Sequence, residues 1–265
     1  MKTSLAQVDL LEEVQPGTFL LGLAAPNISR EAKPGQFYML KASQGLDPFL
    51  PRPFSWLRKG EEGSRSGHRV EILIQVVGKA TALLARMRPG EKVQVVGPLG
   101  RGWEWDPARF PLLVGGGVGA ASLVSLVEWI PPEARQAVWV LVGARSGRQL
   151  WCGQEISKMG AKVLLASQDG LEGFHGTVLQ LLKHEEARLL RAETEVFACG
   201  PREMLREVAR WSESKGLPCQ VSLETPMACG VGVCLGCAVR LPGDGGYVRA
   251  CKEGPVFRSQ EIEWD

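Results

Sequence analysis

The sequence predicts a multi-domain chain with an N-terminal antiparallel β-barrel, a central α/β domain on a parallel sheet, and a small C-terminal cysteine-rich domain. Short alternating apolar runs fill the first hundred residues, and strand-like and helix-like segments then alternate along the middle of the chain. Four cysteines are clustered between Cys229 and Cys251 near the end. We place the three domains at residues 1–102, 103–216 and 217–265.

The barrel prediction depends on short apolar runs that Pro-Gly and Gly-Pro pairs separate. Such runs present one face to a core and one to water, as the strands of a sandwich or barrel do. Leu83, Leu84 and Met87 have helical spacing and predict one helix over residues 81–87. The predicted strands are Phe19–Leu23, Gln36–Lys41, Val70–Val77 and Lys92–Val96.

The central domain begins with Phe110–Val114, an apolar run without alternation, which is typical of a strand buried on both faces. A glycine cluster follows, and then a helix that ends near Ile130. Strands and helices alternate from there, which favours a parallel sheet covered by helices. The predicted strands are Ala137–Val142, Lys162–Ser167 and Glu195–Ala198, and the predicted helices are Leu150–Met159, Val178–Lys183 and Arg202–Lys215.

Composition excludes several classes of protein. Hydrophobic residues make up 45% of the 265, and the formal net charge is +2, so we expect neither disorder nor a nucleic-acid-binding surface. The segment from Met1 to Leu11 lacks the basic start and apolar core of a signal peptide. The longest apolar stretches are interrupted by glycines and do not fit a membrane helix. We therefore expect a soluble cytoplasmic protein that does not bind membranes.

The clustered cysteines have the spacing C-x4-C-x2-C followed by a more distant cysteine, which is the plant-type pattern for a [2Fe–2S] cluster. Glycines between the first three allow the loop to curve around a cluster and bring backbone amides near the sulfurs. A structural zinc site is the alternative, although the tail contains no histidine to complete one. The predicted metal ligands are Cys229, Cys234, Cys237 and Cys251.

A glycine-rich loop follows the first strand of the central domain. Gly115, Gly117 and Ala120 match the pattern G-x-G-x-x-A between a buried strand and a helix, which is the context of a dinucleotide-binding loop. The missing side chains let a pyrophosphate approach the backbone, and the helix N-terminus favours its charge. A strand-to-helix turn without a ligand is the alternative interpretation.

The end of the next strand bears on the choice between NAD and NADP. An acidic residue about 20 positions after the loop would indicate NAD. The chain instead has Arg145 and Arg148, which could accept the 2′-phosphate of NADP. They could equally be solvated loop charges, so the sequence leaves the choice open.

Two short segments in the barrel region suit a flavin nucleotide. Arg52 can contact a diphosphate through two N–H groups, and Ser55 can hydrogen-bond a flavin ring. A helix predicted to begin at Thr81 would direct its N-terminus toward a phosphate. Arg52 as an ordinary surface ion-pair partner remains an alternative.

Taken together, these segments resemble the ferredoxin–NADP reductase superfamily. Arg52–Ser55 resembles its flavin motif, and Pro34–Phe37 and Gly97–Gly100 resemble turns of its barrel. Gly115–Gly119 is similar to its nucleotide loop, and Cys199–Pro201 to the segment near its nicotinamide.

The tail narrows the resemblance. Ser222–Glu224, the run Met227–Cys237 and the later Gly254–Phe257 resemble the family of electron-transfer subunits of NAD-dependent dihydroorotate dehydrogenase. The likeness extends over nearly the whole chain. Three positions depart from the pattern: Ala80 stands where relatives commonly have glycine, Trp103 where they often have phenylalanine, and Ser122 where they often have proline.

The resemblance implies an oxidoreductase subunit of pyrimidine biosynthesis. Electrons would pass from the FMN of a partner catalytic subunit, through the [2Fe–2S] cluster and FAD, to NAD⁺, in a heterotetramer of two plus two subunits. It implies Cys199 as a catalytic residue beside the nicotinamide. The implied FAD residues are Arg52, Pro53, Phe54, Ser55, Leu73, Ile74, Gln75, Gly78, Lys79, Ala80 and Thr81. The implied NAD residues are Gly115, Gly116, Gly117, Gly119, Gly200 and Pro201.

Three other functions remain open from the sequence. A reductase of the same construction could serve a hydrogenase, a transhydrogenase complex or free ferredoxin. A zinc-stabilised binding module without enzymatic activity, or a redox-sensing regulator, would also contain these motifs. If the chain does pass electrons to a partner, we expect the cluster domain to face that partner.

Overall fold

The N-terminal part of the computed structural model is a closed, six-stranded antiparallel barrel. The structure describes residues 2–25, 29–42, 45–60 and 69–264. The strand order around the barrel is β1-β2-β5-β4-β3-β6, and β1 pairs with β6 to close it. The strands are β1 (Lys2–Gln15), β2 (Thr18–Ala24), β3 (Phe37–Lys41), β4 (Arg52–Lys59), β5 (Arg69–Gln75) and β6 (Lys92–Leu99).

The barrel confirms the predicted class and adds two strands that the sequence analysis did not assign. β1 is 14 residues long and hydrogen-bonds to two neighbours, although its residues alternate only weakly between buried and exposed. β4 contains Pro53, which lacks the N–H group of a regular strand residue. The predicted helix begins and ends earlier, as α1 (Lys79–Leu84): the hydroxyl of Thr81 accepts from the N–H of Gly78 and caps the start, and the chain turns at Ala85.

The central domain is built on a seven-stranded sheet with the order β10-β9-β8-β7-β11-β12-β15. All neighbouring strands are parallel except the last pair, β12 and β15. The strands are β7 (Phe110–Gly116), β8 (Trp139–Ala144), β9 (Lys162–Ser167), β10 (Phe174–His175), β11 (Thr194–Cys199), β12 (Cys219–Ser222) and β15 (Val256–Arg258).

Helices cover both faces of this sheet. Leu112 packs in one apolar layer and Leu113 in the other, which is why β7 lacks alternation in sequence. The helices are α2 (Ala120–Trp129), α3 (Trp151–Lys158), α4 (Val178–His184), α5 (Glu186–Leu189) and α6 (Arg202–Ser214). No helix in the described ranges is long and apolar enough to cross a membrane.

The cysteine-rich segment is a small lobe between two strands of the central sheet. It contains a two-stranded sheet, β13 (Ala238–Arg240) and β14 (Tyr247–Arg249). The strands on either side, β12 and β15, pair with each other and extend the central sheet through β11. The chain therefore leaves the sheet at Ser222 and returns at Val256, which anchors the lobe at both ends.

An ion network joins the barrel to the central domain. Arg58 on β4 donates to Glu71 on β5 at 2.5 Å and to Glu155 on α3 at 2.6 Å. Both carboxylates are buried, and Glu71 also pairs with Arg69 at 2.7 Å. The next residue along β4, Lys59, donates its backbone N–H to Glu128 on α2 at 3.0 Å. These contacts fix how the two domains sit against each other.

We expect Arg58→Ala to destabilise the protein by about 2–3 kcal/mol, because it leaves two buried carboxylates without their shared partner. The loss should be measured as the free energy of the first unfolding transition in urea. Arg210→Ala is the control: it removes an exposed pair on α6, so it should cost at most about 0.5 kcal/mol. Equal effects of the two variants would contradict a linking role for Arg58.

Candidate functional site

The four clustered cysteines lie in one loop of the small lobe. Cys237 and Cys251 are buried, Cys229 is half-buried and Cys234 is exposed. The backbone N–H groups of Val231 and Cys234 donate to the sulfur of Cys229 at 3.4 and 3.5 Å. Burial alone would raise the pKa of Cys229, but these amides outweigh it and lower that pKa to about 6. Amides aimed at a thiolate are the second coordination shell that an iron–sulfur site uses.

The four thiols influence one another: Cys229 interacts with Cys234, and Cys251 with both Cys237 and Cys229. Among the residues that the structure describes, no three histidine, cysteine or acidic side chains converge closely enough to hold one metal ion. Three thiols at C-x4-C-x2-C spacing and a fourth cysteine suit a binuclear cluster, in which each iron takes two thiolates, and the lobe offers no histidine for a zinc site. The residues present therefore fit the predicted cluster.

The lobe holds this loop in place from both sides. Arg249 forms an ion pair with Glu253 and donates to the carbonyl of Gly232 at 2.9 Å. Gly230 has φ +70, and a Cβ there would lie 2.5 Å from the side chain of Met39 in the barrel. Only glycine allows that approach, so the cluster loop packs directly against β3.

A cavity of about 440 Å³ opens between the barrel and the central domain. All the predicted FAD residues line it except Ile74, whose side chain packs inside the barrel. Ile74 lies between Leu73 and Gln75 on β5, and strand alternation directs it to the other face. Residues from the central domain and from the approach to the lobe close the cavity, among them Cys199, Ser222, Leu223, Glu224 and Met227.

Three of the polar residues predicted for FAD are held by local contacts. Arg52 donates through Nη1 to the carbonyls of Leu50 and Pro51 at 2.8 and 3.3 Å. Lys79 pairs with Asp47 at the surface. The hydroxyl of Thr81 accepts from the backbone N–H groups of Val77 and Gly78 at 3.0 and 3.1 Å. Thr81 therefore shapes the turn, and Arg52 keeps donors for an anionic ligand.

A second cavity, of about 630 Å³, lies above the glycine-rich loop at the carboxyl ends of the parallel strands. Gly116, Gly117 and Gly119 line it, together with Pro201 and with Met204 on α6. Gly117 has φ +53 and open space where a Cβ would stand, so the loop forms a cradle for a ligand. The edge of a parallel sheet beyond its strand ends is where nucleotides bind in such folds.

Gly115 and Gly200 support this cradle without lining it. A Cβ on Gly115 would lie 2.9 Å from Ala120, so this glycine allows β7 and α2 to pack closely. Gly200 has its backbone 2.7 Å from the Cβ position of Gly119. Gly115 and Gly200 therefore allow close packing of the backbone, whereas Gly116, Gly117 and Gly119 line the cavity.

We expect Gly119→Ala to weaken nicotinamide nucleotide binding by at least tenfold, or about 1.4 kcal/mol. The added methyl group would meet the backbone of Gly200, so the loop must shift away from its cradle geometry. Titration calorimetry with NADH measures the effect. Gly45→Ala has open space around its Cβ and should bind as tightly as the unmodified protein. Unchanged affinity in Gly119→Ala would mean that the nucleotide binds elsewhere.

The two cavities meet at four shared residues. Gln75 comes from the barrel, Val118 and Gly119 from the glycine-rich loop, and Glu224 from the segment that leads into the lobe. Burial raises the pKa of Glu224. Cys199 lines the first cavity beside this junction at the end of β11, and burial raises the pKa of its thiol to about 12. The thiol is therefore neutral at physiological pH.

The two arginines after β8 point to different places. Arg145 lines the second cavity, with Gln149, Gln168 and Thr177 around it. Arg148 lines a separate surface depression beside Trp151. One arginine, not two, is thus available to a nucleotide in this cavity.

Sequence reasoning did not assign several cavity residues. Met204, Thr177 and Glu203 lie far along the chain from the glycine-rich loop and reach the second cavity from helices or their ends. Glu224 lies within the tail motif Ser222–Glu224, and that motif does not mark it as a cavity residue. No local motif marks such residues, because their position depends on how distant elements pack.

Comparison with protein families identifies two segments. Residues 224–263 match the iron–sulfur cluster binding domain of dihydroorotate dehydrogenase B. Residues 113–210 match the oxidoreductase NAD-binding domain. The first match covers all four clustered cysteines, and the second covers the glycine-rich loop and most of the second cavity.

Whole-chain relatives agree with these matches. The chain is 38% identical to the dihydroorotate dehydrogenase B (NAD(+)) electron transfer subunit of Desulforamulus reducens, over 98% of both chains. It is 34% identical to the subunit of the same name from Bacillus caldolyticus, over 92% of both chains. Among solved structures it resembles an NADH-dependent reduced ferredoxin-NADP oxidoreductase studied for flavin-based electron bifurcation. That likeness has a TM-score of 0.85 and 28% identity, over 100% of this chain and 91% of the other.

Proposed function

The chain belongs to the family of dihydroorotate dehydrogenase B electron transfer subunits, and we propose that it carries electrons from a catalytic dihydroorotate dehydrogenase subunit to NAD⁺. It is an oxidoreductase subunit whose cofactors are FAD, a [2Fe–2S] cluster and NAD. We further propose that the partner contains FMN, that two copies of each subunit assemble, and that the complex works in the cytoplasm. The domain limits 1–102, 103–216 and 217–265 and the predicted site residues belong to the same proposal.

One observation supports this function most directly: the three sites are contiguous. The two cavities share a wall at Gln75 and Glu224. Met227 lines the first cavity, and the first cluster cysteine, Cys229, follows two residues later. A protein that only binds nucleotides does not need a cysteine loop beside the cavity that the predicted FAD residues line.

The residues of the chain supply binding and orientation. When bound, the cluster exchanges single electrons, nicotinamide exchanges hydride, and the flavin between them can do both. Arg52 offers donors to the flavin diphosphate, and Ser55 faces the same cavity. The glycine cradle at Gly117 would receive the nicotinamide nucleotide, and Glu224 lies where its cavity meets the cavity that would hold FAD.

The exposed part of the cluster loop supports a docking role. Val233 and Leu235 are 79% and 62% exposed, and they flank the exposed Cys234. Apolar side chains beside an exposed metal ligand lie in contact with water unless a partner covers them. We propose that the catalytic subunit docks on this surface, which we call the cluster tip (Val233, Cys234 and Leu235).

The experiment that tests the function is reconstitution. The purified chain, before and after NADH, should show flavin and iron–sulfur absorption that bleaches anaerobically. Mixed with an FMN-containing dihydroorotate dehydrogenase subunit, it should make dihydroorotate oxidation depend on NAD⁺. Bleaching without this activity would favour a reductase that serves another acceptor, such as ferredoxin. Zinc and a featureless spectrum would favour a binding module.

A further inference from the structure

The segment that follows β15, Ser259–Trp264, packs between the small lobe and α6. Ile262 is 3% exposed and lies in the same apolar layer as Leu205 of α6 and Val239 of the lobe. Trp264 is partly buried against this layer. We call Ser259–Trp264 the bridging segment.

The backbone of one residue in the bridging segment hydrogen-bonds to both of its neighbours. The N–H of Glu263 donates to the carbonyl of Arg240, the last residue of β13 in the lobe, at 3.0 Å. The carbonyl of Glu263 accepts from Nη2 of Arg202, the first residue of α6, also at 3.0 Å. Glu263 therefore connects the lobe to the start of the helix.

The side chain of Trp264 holds the same arginine from another direction. The guanidinium of Arg202 lies over the indole ring, 5.7 Å from its centroid. The indole N–H donates to the carbonyl of Ser259 at 2.8 Å, which fixes the ring relative to the rest of the bridging segment. A charge-assisted hydrogen bond and a cation–π contact thus act on one side chain. Arg202 and Trp264 themselves line neither of the two cavities.

The start of α6 forms a wall of the second cavity. Pro201, Glu203 and Met204, which are the neighbours of Arg202 along the chain, line this cavity. Met204 also packs on the glycine-rich loop, because a Cβ on Gly116 would lie 2.6 Å from its sulfur. The loop and the first turn of α6 are in direct contact, so a shift of the turn moves the wall of the cavity and the loop with it.

We infer that Arg202 and Trp264 are positioning residues for the nicotinamide nucleotide. The bridging segment holds the first turn of α6, and this turn holds the glycine cradle. The lobe that contains the four clustered cysteines thereby helps to set the geometry of the nucleotide site, through the backbone of Glu263. This inference rests on the proposed function, because it takes the second cavity as the site of the nicotinamide nucleotide.

The first test is steady-state NADH oxidation by the holoprotein with an artificial acceptor. Arg202→Ala and Trp264→Ala should each raise the KM for NADH about fivefold and leave kcat within about twofold, because they displace the cradle without removing a group from either cavity. An effect of about this size is expected for loss of one charge-assisted hydrogen bond or one exposed cation–π contact. Trp264→Phe keeps a ring beneath the guanidinium and should restore most of the affinity.

Arg188→Ala is the matched control. Arg188 of α5 lies over the ring of Trp139, 4.6 Å from its centroid, so this variant removes a contact of the same kind at the opposite end of the sheet, where β8 begins. It should leave the KM for NADH unchanged. An unchanged KM in both Arg202→Ala and Trp264→Ala, or an equal rise in Arg188→Ala, would overturn the inference.

Amide hydrogen exchange is the second test, and it does not depend on the reaction. In Trp264→Ala, the amides of residues 205–208, which close the first turn of α6, and those of residues 116–119 should exchange faster than in the unmodified protein. The amides of α3 should exchange at the same rate in both. Unchanged exchange at both places would also overturn the inference. If the unmodified protein fails to bind NADH, the proposed function fails, while the exchange rates still decide whether the bridging segment holds the cradle.

Discussion

Cys234→Ala should abolish the iron–sulfur absorption of the protein and leave its flavin absorption in place. Cys234 is exposed, so the change removes a ligand without opening a cavity in a packed core. None of the four cysteines lines the first cavity, and Pro255 is the one described residue beyond Met227 that does, which is why this cavity should remain intact. Electron transfer between this subunit and the catalytic subunit should be lost, because the cluster is the proposed link between them.

The measurements that check this prediction are iron content, the visible spectrum and NADH oxidation with an artificial acceptor. Iron and the cluster absorption should be lost, and NADH-to-acceptor activity should persist through the flavin. Cys152→Ala is the matched control, because Cys152 is buried in α3, far along the chain from the lobe. It should retain both the cluster and the flavin. Full iron content in Cys234→Ala would contradict the assigned ligand set.

The cluster and the glycine-rich loop could be predicted from sequence because each is encoded locally. The thiols of Cys229, Cys234 and Cys237 occupy one short loop, so their spacing alone restricts the geometry. The glycine pattern is likewise read within one strand, turn and helix, and the structure has β7, the turn at Gly117 and α2 in that order. Local encoding also explains why the parallel sheet was predicted from alternating segments.

The remaining parts depend on contacts between distant segments. β12 and β15 belong to the central sheet although 33 residues of the lobe and its connections separate Ser222 from Val256. Neither the four residues of β12 nor the three residues of β15 form a sequence pattern that predicts this pairing. The hydrogen bond from the indole N–H of Trp103 to the hydroxyl of Ser122 is similar: each residue looks like an isolated departure in sequence, and only the packing of the inter-domain connection on α2 shows that they form a pair.

The cluster tip leads to the second large expected effect. Replacing both Val233 and Leu235 with aspartate should weaken binding of the catalytic subunit at least about 100-fold, or close to 3 kcal/mol. Each aspartate would bury a charge in the centre of the proposed interface, and burying an unpaired charge costs free energy. Leu235 has φ +58, a left-handed conformation that aspartate tolerates better than most residues, so the backbone should not be disturbed.

Leu5→Asp is the matched control for the cluster tip, because Leu5 is an exposed leucine on β1 of the barrel and lies outside both cavities. Binding can be measured by analytical ultracentrifugation and by NAD⁺-dependent dihydroorotate oxidation in the mixed subunits. Both variants should keep their cluster absorption and their NADH-to-acceptor activity, which separates a docking defect from misfolding. Point changes serve better here than deletion of the tail, because removing residues from Cys219 onward would also remove β12 and β15 from the central sheet. If the double aspartate variant assembles as tightly as Leu5→Asp, the catalytic subunit must dock on another surface, and electrons must reach the cluster from a different side.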